Sequence, residues 1–260
     1  MKREINPKLE RSPLQYVLVQ IRFSPITTME KYVTSIQDKL RKIGFPRYDP
    51  EHIQQINFVP EPVSERVLRW NFVSRDKTEG VLLTENFIVY ETTKYDVFET
   101  FAEQCAKVLT ILNDIAEVDF ATQIGLRYVD VIRELDGHPL NWFIRKEFHG
   151  LLPAAVDGWH VSNQFFTLIK TDEGTLKLKS IDGQGPNFMP SDLESNRLAF
   201  DLVLQEQDRF RILDFDHIWK GDIDFEPTVI VEKMRDLHAP IGKVFRATVS
   251  DEAIHVWMKK

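Results

Sequence analysis

A single cysteine, Cys105, is all that the 260 residues hold, so no intrachain disulfide can form and a reducing compartment is expected. Long apolar runs are missing too. No stretch approaches the ~18 uncharged apolar residues that a membrane span needs. The opening Met1-Lys2-Arg3-Glu4-Ile5 lacks the apolar run that follows the basic residues of a secretory signal. The expectation is a cytoplasmic protein with no membrane partner. Basic excess is absent: Lys and Arg number 33 against 40 Asp and Glu, a net charge of −7. Nucleic-acid affinity rests on clustered cations that displace counterions, so this balance speaks against nucleic acid as the main partner. The small basic clusters are Lys177-Leu178-Lys179 and, at the start, Lys2, Arg3, Lys8 and Arg11.

Familiar catalytic motifs are also missing. There is no Gly-x-Gly-x-x-Gly, no Gly-Lys-Ser or Gly-Lys-Thr phosphate loop, and no Gly-x-Ser-x-Gly elbow. One cysteine excludes the Cys-rich zinc modules. The seven histidines are dispersed, with no i, i+4 pair to suggest a metal-hydrolase helix. No residue is therefore assigned a catalytic role, and no cofactor is expected.

What is present is a substantial apolar stock, 43% of the residues with 18 Phe and 5 Trp, enough to fill a core without staples at this length. Residues 16–23 alternate, with Val17, Val19, Ile21 and Phe23 on one face and Gln20 and Arg22 on the other, as in a half-buried strand. Thr27-Thr28-Met29-Glu30 has a capping-box pattern, and Met29, Val33, Ile36, Leu40 and Ile43 then recur at helical spacing. Gly44 and Pro46 end that helix. Strands are expected at 53–59, 67–74 and 81–91, and a long helix at 95–112 carries Cys105 on its apolar stripe, as a core thiol.

The pattern then starts again. A long strand covers 120–134, a short helical segment 140–151, and strands follow at 159–170, 175–181, 198–206 and 210–219. A last helix begins at Pro227 behind Asp224 and Glu226 and runs to about Val249, with Pro240 expected to kink it. Residues 182–192 read as a flexible loop. The fold class is α+β: a mobile arm at 1–12, then two tandem units at 13–117 and 118–260. Each reads strand, helix, antiparallel strands, long helix. This is a helix-grip-like order in which a sheet curls around its last helix, and two such sheets can join edge to edge.

Several segments carry a resemblance: Ser12-Pro13-Leu14 leading into 17–23, Trp70-Asn71-Phe72, Tyr95 with Glu99 and Phe101, and above all Gly125-Leu126-Arg127-Tyr128. Together they resemble a sporadically distributed family of uncharacterised prokaryotic proteins of similar length. The resemblance implies a bacterial or archaeal source and the patchy inheritance that defence and toxin–antitoxin modules show. It implies no activity and no catalytic residues.

Three groups of residues are candidates for function. Arg127, Tyr128 and Asp130 lie in the long strand, where alternation puts Asp130 on the apolar face with Leu126, Tyr128 and Ile132. A carboxylate there must find a partner or carry a raised pKa. It is either a pocket group or a structural one. Asp214, Asp216 and His217 belong to an acidic stretch, and paired carboxylates beside a histidine can hold Mg²⁺ or Mn²⁺ for phosphoryl transfer. The same acids read equally as a solvated face and as helix-start residues. Trp70 and Trp219 stand for the aromatics, which either fill the core or line a binding patch. The leading expectation is a non-enzymatic binding module for a partner protein or small ligand, as the sensor or antitoxin-like part of a defence locus. The alternative is a metal-dependent phosphoryl-transfer or nuclease-like enzyme built on Asp214 and Asp216.

Overall fold

A computed structural model describes residues 9–58, 62–150, 157, 162–193 and 197–259, with the backbone alone for 53–58 and 62–67. Among these residues nine strands form one antiparallel sheet: β1 (Leu14–Phe23), β2 (Arg47–Phe58), β3 (Pro62–Val73), β4 (Glu79–Leu83), β5 (Phe87–Thr92), β6 (Phe120–Arg133), β7 (Gln164–Thr171), β8 (Gly174–Gln184) and β9 (Arg209–Asp224). Their order across the sheet is β2-β3-β4-β5-β1-β6-β9-β8-β7. Four α-helices among the described residues, α1 (Glu30–Leu40), α2 (Phe98–Ala116), α3 (Pro227–Thr248) and α4 (Asp251–Trp257), complete the α+β class. None of the helices among the described residues is long and apolar enough to cross a membrane.

The helices bury one face of the sheet. Val33, Ile36 and Leu40 of α1, Phe101, Cys105 and Leu109 of α2, and Ile230, Met234 and Leu237 of α3 join Val17, Val19 and Ile21 of β1 in one core. Each helix presents its apolar stripe at i, i+3, i+4 spacing, and each strand presents every second side chain. Cys105 is wholly buried on the α2 stripe, and burial pushes its thiol pKa up. A thiol reagent should therefore leave the native protein unmodified and react stoichiometrically once urea unfolds it. Fast labelling without denaturant, followed by mass spectrometry, would contradict a closed core.

The sheet centre is the meeting of β1 and β6, which pair antiparallel with Leu18 opposite Arg127 and Gln20 opposite Gly125. The strand closing each half also pairs with that half's first strand, β5 with β1 and β9 with β6. Between the halves, α2 ends at Glu117, whose left-handed backbone (φ 48°) turns the chain toward β6.

Several elements differ from the sequence expectation. The run 81–91 is a hairpin, with Thr84 Oγ1 accepting from the amides of Asn86 and Phe87 at the turn. Residues 198–206 form no strand. Leu198, Phe200, Leu202 and Leu204 alternate because they lay one side on the second face of the sheet, where no neighbouring strand pairs with them. Alternation reports one-sided burial, and pairing is a separate condition. The 140–151 segment gives two short 3-10 turns, Leu140–Phe143 and Lys146–Phe148. Helix α3 continues through Pro240. The helix α4 was not anticipated, although Ser250 caps it by accepting from the Ala253 amide at 3.1 Å. At the start of α1 no side chain caps the helix; Met29 stands at the N-cap in helical backbone. Of the expected arm, residues 9–12 are described, and Arg11 is tied to the body by a two-pronged pair with Asp136 at 2.7 and 2.9 Å. Lys2, Arg3, Lys8 and Trp159 lie outside the described residues.

Candidate functional site

Among the described residues, no helix packs on the second face of the sheet. Part of it is covered by the chain between β8 and β9, where Phe188, Leu198 and Leu204 pack on Tyr16, Val73, Val129, Val131, Phe210 and Ile212. Backbone contacts fix this covering segment: the Ala199 amide donates to the Lys77 carbonyl at 2.7 Å, and the Gly185 amide to that of Asp208 at 3.1 Å. Beside it lies a cleft of about 280 Å³, floored by β1, β5, β6 and β9 and walled by Asp192, Leu193 and Arg197 of the covering segment.

The strand pleat explains which side chains reach the cleft. On β6, Gln123, Gly125 and Arg127 face it, while Leu126, Tyr128 and Ile132 face the helices. Arg127 lies beside Leu18 of β1 in this floor. Its Nε and Nη2 donate to Asp214 Oδ1 and Oδ2, both at 2.7 Å, and its Nη1 and Nη2 donate to Asp192 at 2.7 and 3.0 Å. The two carboxylates differ in setting: the Asp214 side chain is 2% exposed and that of Asp192 is 54% exposed. Burial works against the Arg127 charge, but hydrogen bonds to Asp192 and Asp214 outweigh it, and its pKa is raised. The same bonds hold Asp192 below the usual carboxylate range. Gly125, two residues along the same face, leaves the floor next to Arg127 without a side chain, and Asp216 and Ile218 of β9 border that gap.

A second ionic group stands on the other side of Leu18, at β5. Glu91 of β5 is buried, accepts from the Tyr16 hydroxyl, and takes Arg197 Nη2 at 3.3 Å. Arg197 also reaches Glu51 of β2 at 3.3 Å. Gly80 of β4 makes room for this arrangement, since a Cβ there would stand 2.8 Å from Glu91 Oε1. Burial, then the nearby Glu91 charge, pushes the Tyr16 pKa well up, so its phenol donates to the carboxylate at neutral pH. Arg69 also lines the cleft. Asp216 is engaged by Lys177 Nζ at 2.7 Å.

The sequence candidates are thus divided between two faces. Arg127, Asp214 and Asp216 meet on the cleft side. Tyr128 points to the helices, where its hydroxyl lies 3.2 Å from that of Tyr95 and 3.0 Å from His238 Nδ1. Phe98 stacks on His238 at 4.6 Å, and burial lowers the His238 pKa to about 4. Asp130 shares that face and is buried. No hydrogen bond reaches its carboxylate among the described residues, and desolvation pushes its pKa up to about 8. Trp70 is buried in the helix-side core, and Trp219 lies on that side with Lys233 Nζ 5.6 Å from its ring centre.

His217 is separated from its acidic neighbours for the same reason. It is wholly buried under α3, where Nδ1 lies 2.9 Å from the Leu237 carbonyl and Nε2 lies 2.9 Å from Thr171 Oγ1. A carbonyl only accepts, so Nδ1 carries the proton and Nε2 is left to accept from the threonine. Burial lowers the His217 pKa. Asp214, Asp216 and His217 are not brought together, and among the described residues no three His, Cys, Asp or Glu side chains stand where they could hold a metal ion.

Sequence reasoning missed Tyr16, Glu91, Asp192 and Arg197 as site residues. Gln20 and Arg22 mark a polar face on β1, and the stretch 182–192 reads as a loop, although β8 continues through Gln184 and only the remainder lies outside a strand. The ionic contacts of Asp192 and Arg197 in the covering segment with the strands link positions 65 and 106 residues apart, which no local pattern encodes. Comparison with protein-family models gives no match for this chain. Comparison with curated proteins gives no significant match either.

Proposed function

We propose that this chain is a non-enzymatic binding module that recognises a partner protein or small ligand through the cleft on the helix-free face. The observation that carries the reading is the pairing of the cleft's charges. Arg127, Arg197, Glu91, Asp192, Asp214 and Asp216 each have an opposite charge already in contact. A general base or nucleophile needs a pKa matched to its task. The ionisable acids of the cleft with displaced pKa values, Tyr16 and Asp192, are both moved away from neutrality. A paired, half-open cleft walled by a covering segment suits recognition.

The architecture supports a duplicated origin, which we include in the proposal. Each half opens on a central strand (β1, β6), pairs that strand with its last one (β5, β9), and closes on a long helix (α2, α3). The first half follows the expected order of strand, helix, antiparallel strands and long helix, while in the second two short 3-10 turns stand where its first helix was expected and α4 follows its long helix. With the resemblance noted in the sequence, we assign the module to the sensor or antitoxin-like part of a prokaryotic defence locus.

The test is affinity purification from cells that make the protein natively, followed by native mass spectrometry. A stoichiometric protein companion or a retained small molecule is the expected result. Metal-dependent turnover of nucleotide or nucleic acid by the purified chain, abolished by Asp216→Ala, would replace this reading with the enzymatic one.

A further inference from the structure

The Arg127 guanidinium is built as a fork with one side fixed and the other side held by a replaceable group. Asp214, buried and on the neighbouring strand, takes Nε and Nη2 and sets the plane of the guanidinium. The remaining donors, Nη1 with Nη2, point to the cleft and are filled by the two oxygens of Asp192. That carboxylate comes from the covering segment, and its side chain is more than half exposed. Planar two-pronged pairing is the geometry in which arginine recognises carboxylate and phosphate groups.

We propose that Asp192 is an internal stand-in for a ligand, and that the cleft binds the oxyanion group, carboxylate or phosphate, of a small polar molecule on Arg127. The proposal rests on the reading of this cleft as a binding site and names the chemistry it would take. Three features agree with it. Gly125 leaves open floor directly beside Arg127. Gln20 and Gln123 line the same floor and offer uncharged amides to the rest of a polar ligand. Arg69 and Arg197 bring further guanidinium groups to the same cavity. A ligand oxyanion that replaces Asp192 restores the charge balance at Arg127, so exchange costs no buried, unpaired charge. It also frees the covering segment at Asp192, while Arg197 keeps its hold on Glu91 and Glu51. Binding would thus be reported by movement of one wall of the cleft.

An intramolecular carboxylate competes at the high effective concentration of a tethered group, so the wild-type protein should bind free anions weakly. The experiment titrates inorganic phosphate and, separately, succinate into wild-type protein and Asp192→Asn at low ionic strength, by calorimetry. Asp192→Asn should bind at least one of the two roughly tenfold more tightly than wild type. Preference for phosphate or for succinate tells which source the site takes. Adding Arg127→Lys to Asp192→Asn keeps the charge, removes the fork, and should lose that gain. The proposal is overturned if Asp192→Asn, with an unchanged circular dichroism spectrum, binds neither anion more tightly. It is also overturned if Arg127→Lys binds as well as its parent. Should Asp192→Asn not fold, the Arg127 Nε–H resonance of wild-type protein decides: a saturable shift with either anion supports the site, and none overturns it. Loss of anion binding alongside successful capture of a native protein companion would discard the oxyanion assignment and leave the binding-module reading standing.

Discussion

Replacing Arg127 by methionine is expected to destabilise the fold by about 3–5 kcal/mol, because it leaves a buried carboxylate without its counter-charge. That carboxylate is Asp214, whose side chain is only 2% exposed and whose two oxygens both receive Arg127. Lys179 lies opposite Asp214 in the β8–β9 register, and a partial approach of its ammonium sets the lower end of the range. The lost contact with Asp192 adds little, since exposed ion pairs contribute about 0–1 kcal/mol. A second substitution separates charge from packing. Asp214→Leu introduced into Arg127→Met removes the orphaned charge, and most of the loss should be recovered, as when a buried ion pair is replaced by apolar groups. Urea denaturation of the single and double variants measures both steps. A single variant as stable as wild type would mean that Asp214 is solvated or held by another cation.

Asp130 should have the opposite effect. Its carboxyl is buried with a pKa raised from the usual 3.8 to about 8, so the folded state keeps a proton that the unfolded state releases. Stability then falls as pH rises from about 4 to about 8 and levels off above that. Asp130→Asn lacks this dependence. It should match wild type near the acid end of the window and exceed it by several kcal/mol at the alkaline end, at about 1.4 kcal/mol for each unit of displacement. Denaturation of both proteins at about pH 5, 7 and 8.5 tests the slope as well as the sign. A stability difference that does not change with pH would show that Asp130 is ionised in the folded protein. Neither substitution touches the helix-side core apart from Asp130 itself, so both effects report electrostatics.

Much of the frame could be read locally. The alternation of 16–23 and of the Gly125–Ile132 stretch identifies the two central strands, and Leu126, Tyr128 and Ile132 face the helices as their spacing requires. The same logic placed Asp130 on the buried face. What stayed hidden depends on distant partners. Thr84-Glu85-Asn86 breaks 81–91 into a hairpin without a glycine or proline to mark it. The leucines and phenylalanine of 198–204 alternate like a strand yet pair with none, since their burial comes from lying across the sheet. For the site, Arg127 could be found because it interrupts an apolar strand. Its separation from Tyr128 follows from pleat alone. The second ionic group of the cleft could not be found, because Glu91 follows the apolar run 87–89 in β5 and Arg197 lies in a loop, and only the folded sheet brings them together. Asp214 and Asp216 share a face as their spacing demands, and that spacing also sends His217 to the other side.

The seam between β1 and β6 bears on how the chain is made. As the protein leaves the ribosome, residues 14–117 can assemble β1 to β5 with α1 and α2, yet one edge of β1 stays bare until residues 120–133 emerge. Strand β6, which ends at Arg133, in turn waits for β9, which begins only at Arg209. For that interval the growing chain exposes one edge of the fourteen-residue β6 with open donors and acceptors, the kind of edge through which chains join one another wrongly. The strand that starts each half is therefore also where the nascent protein has most need of a companion, whether its own second half or a chaperone.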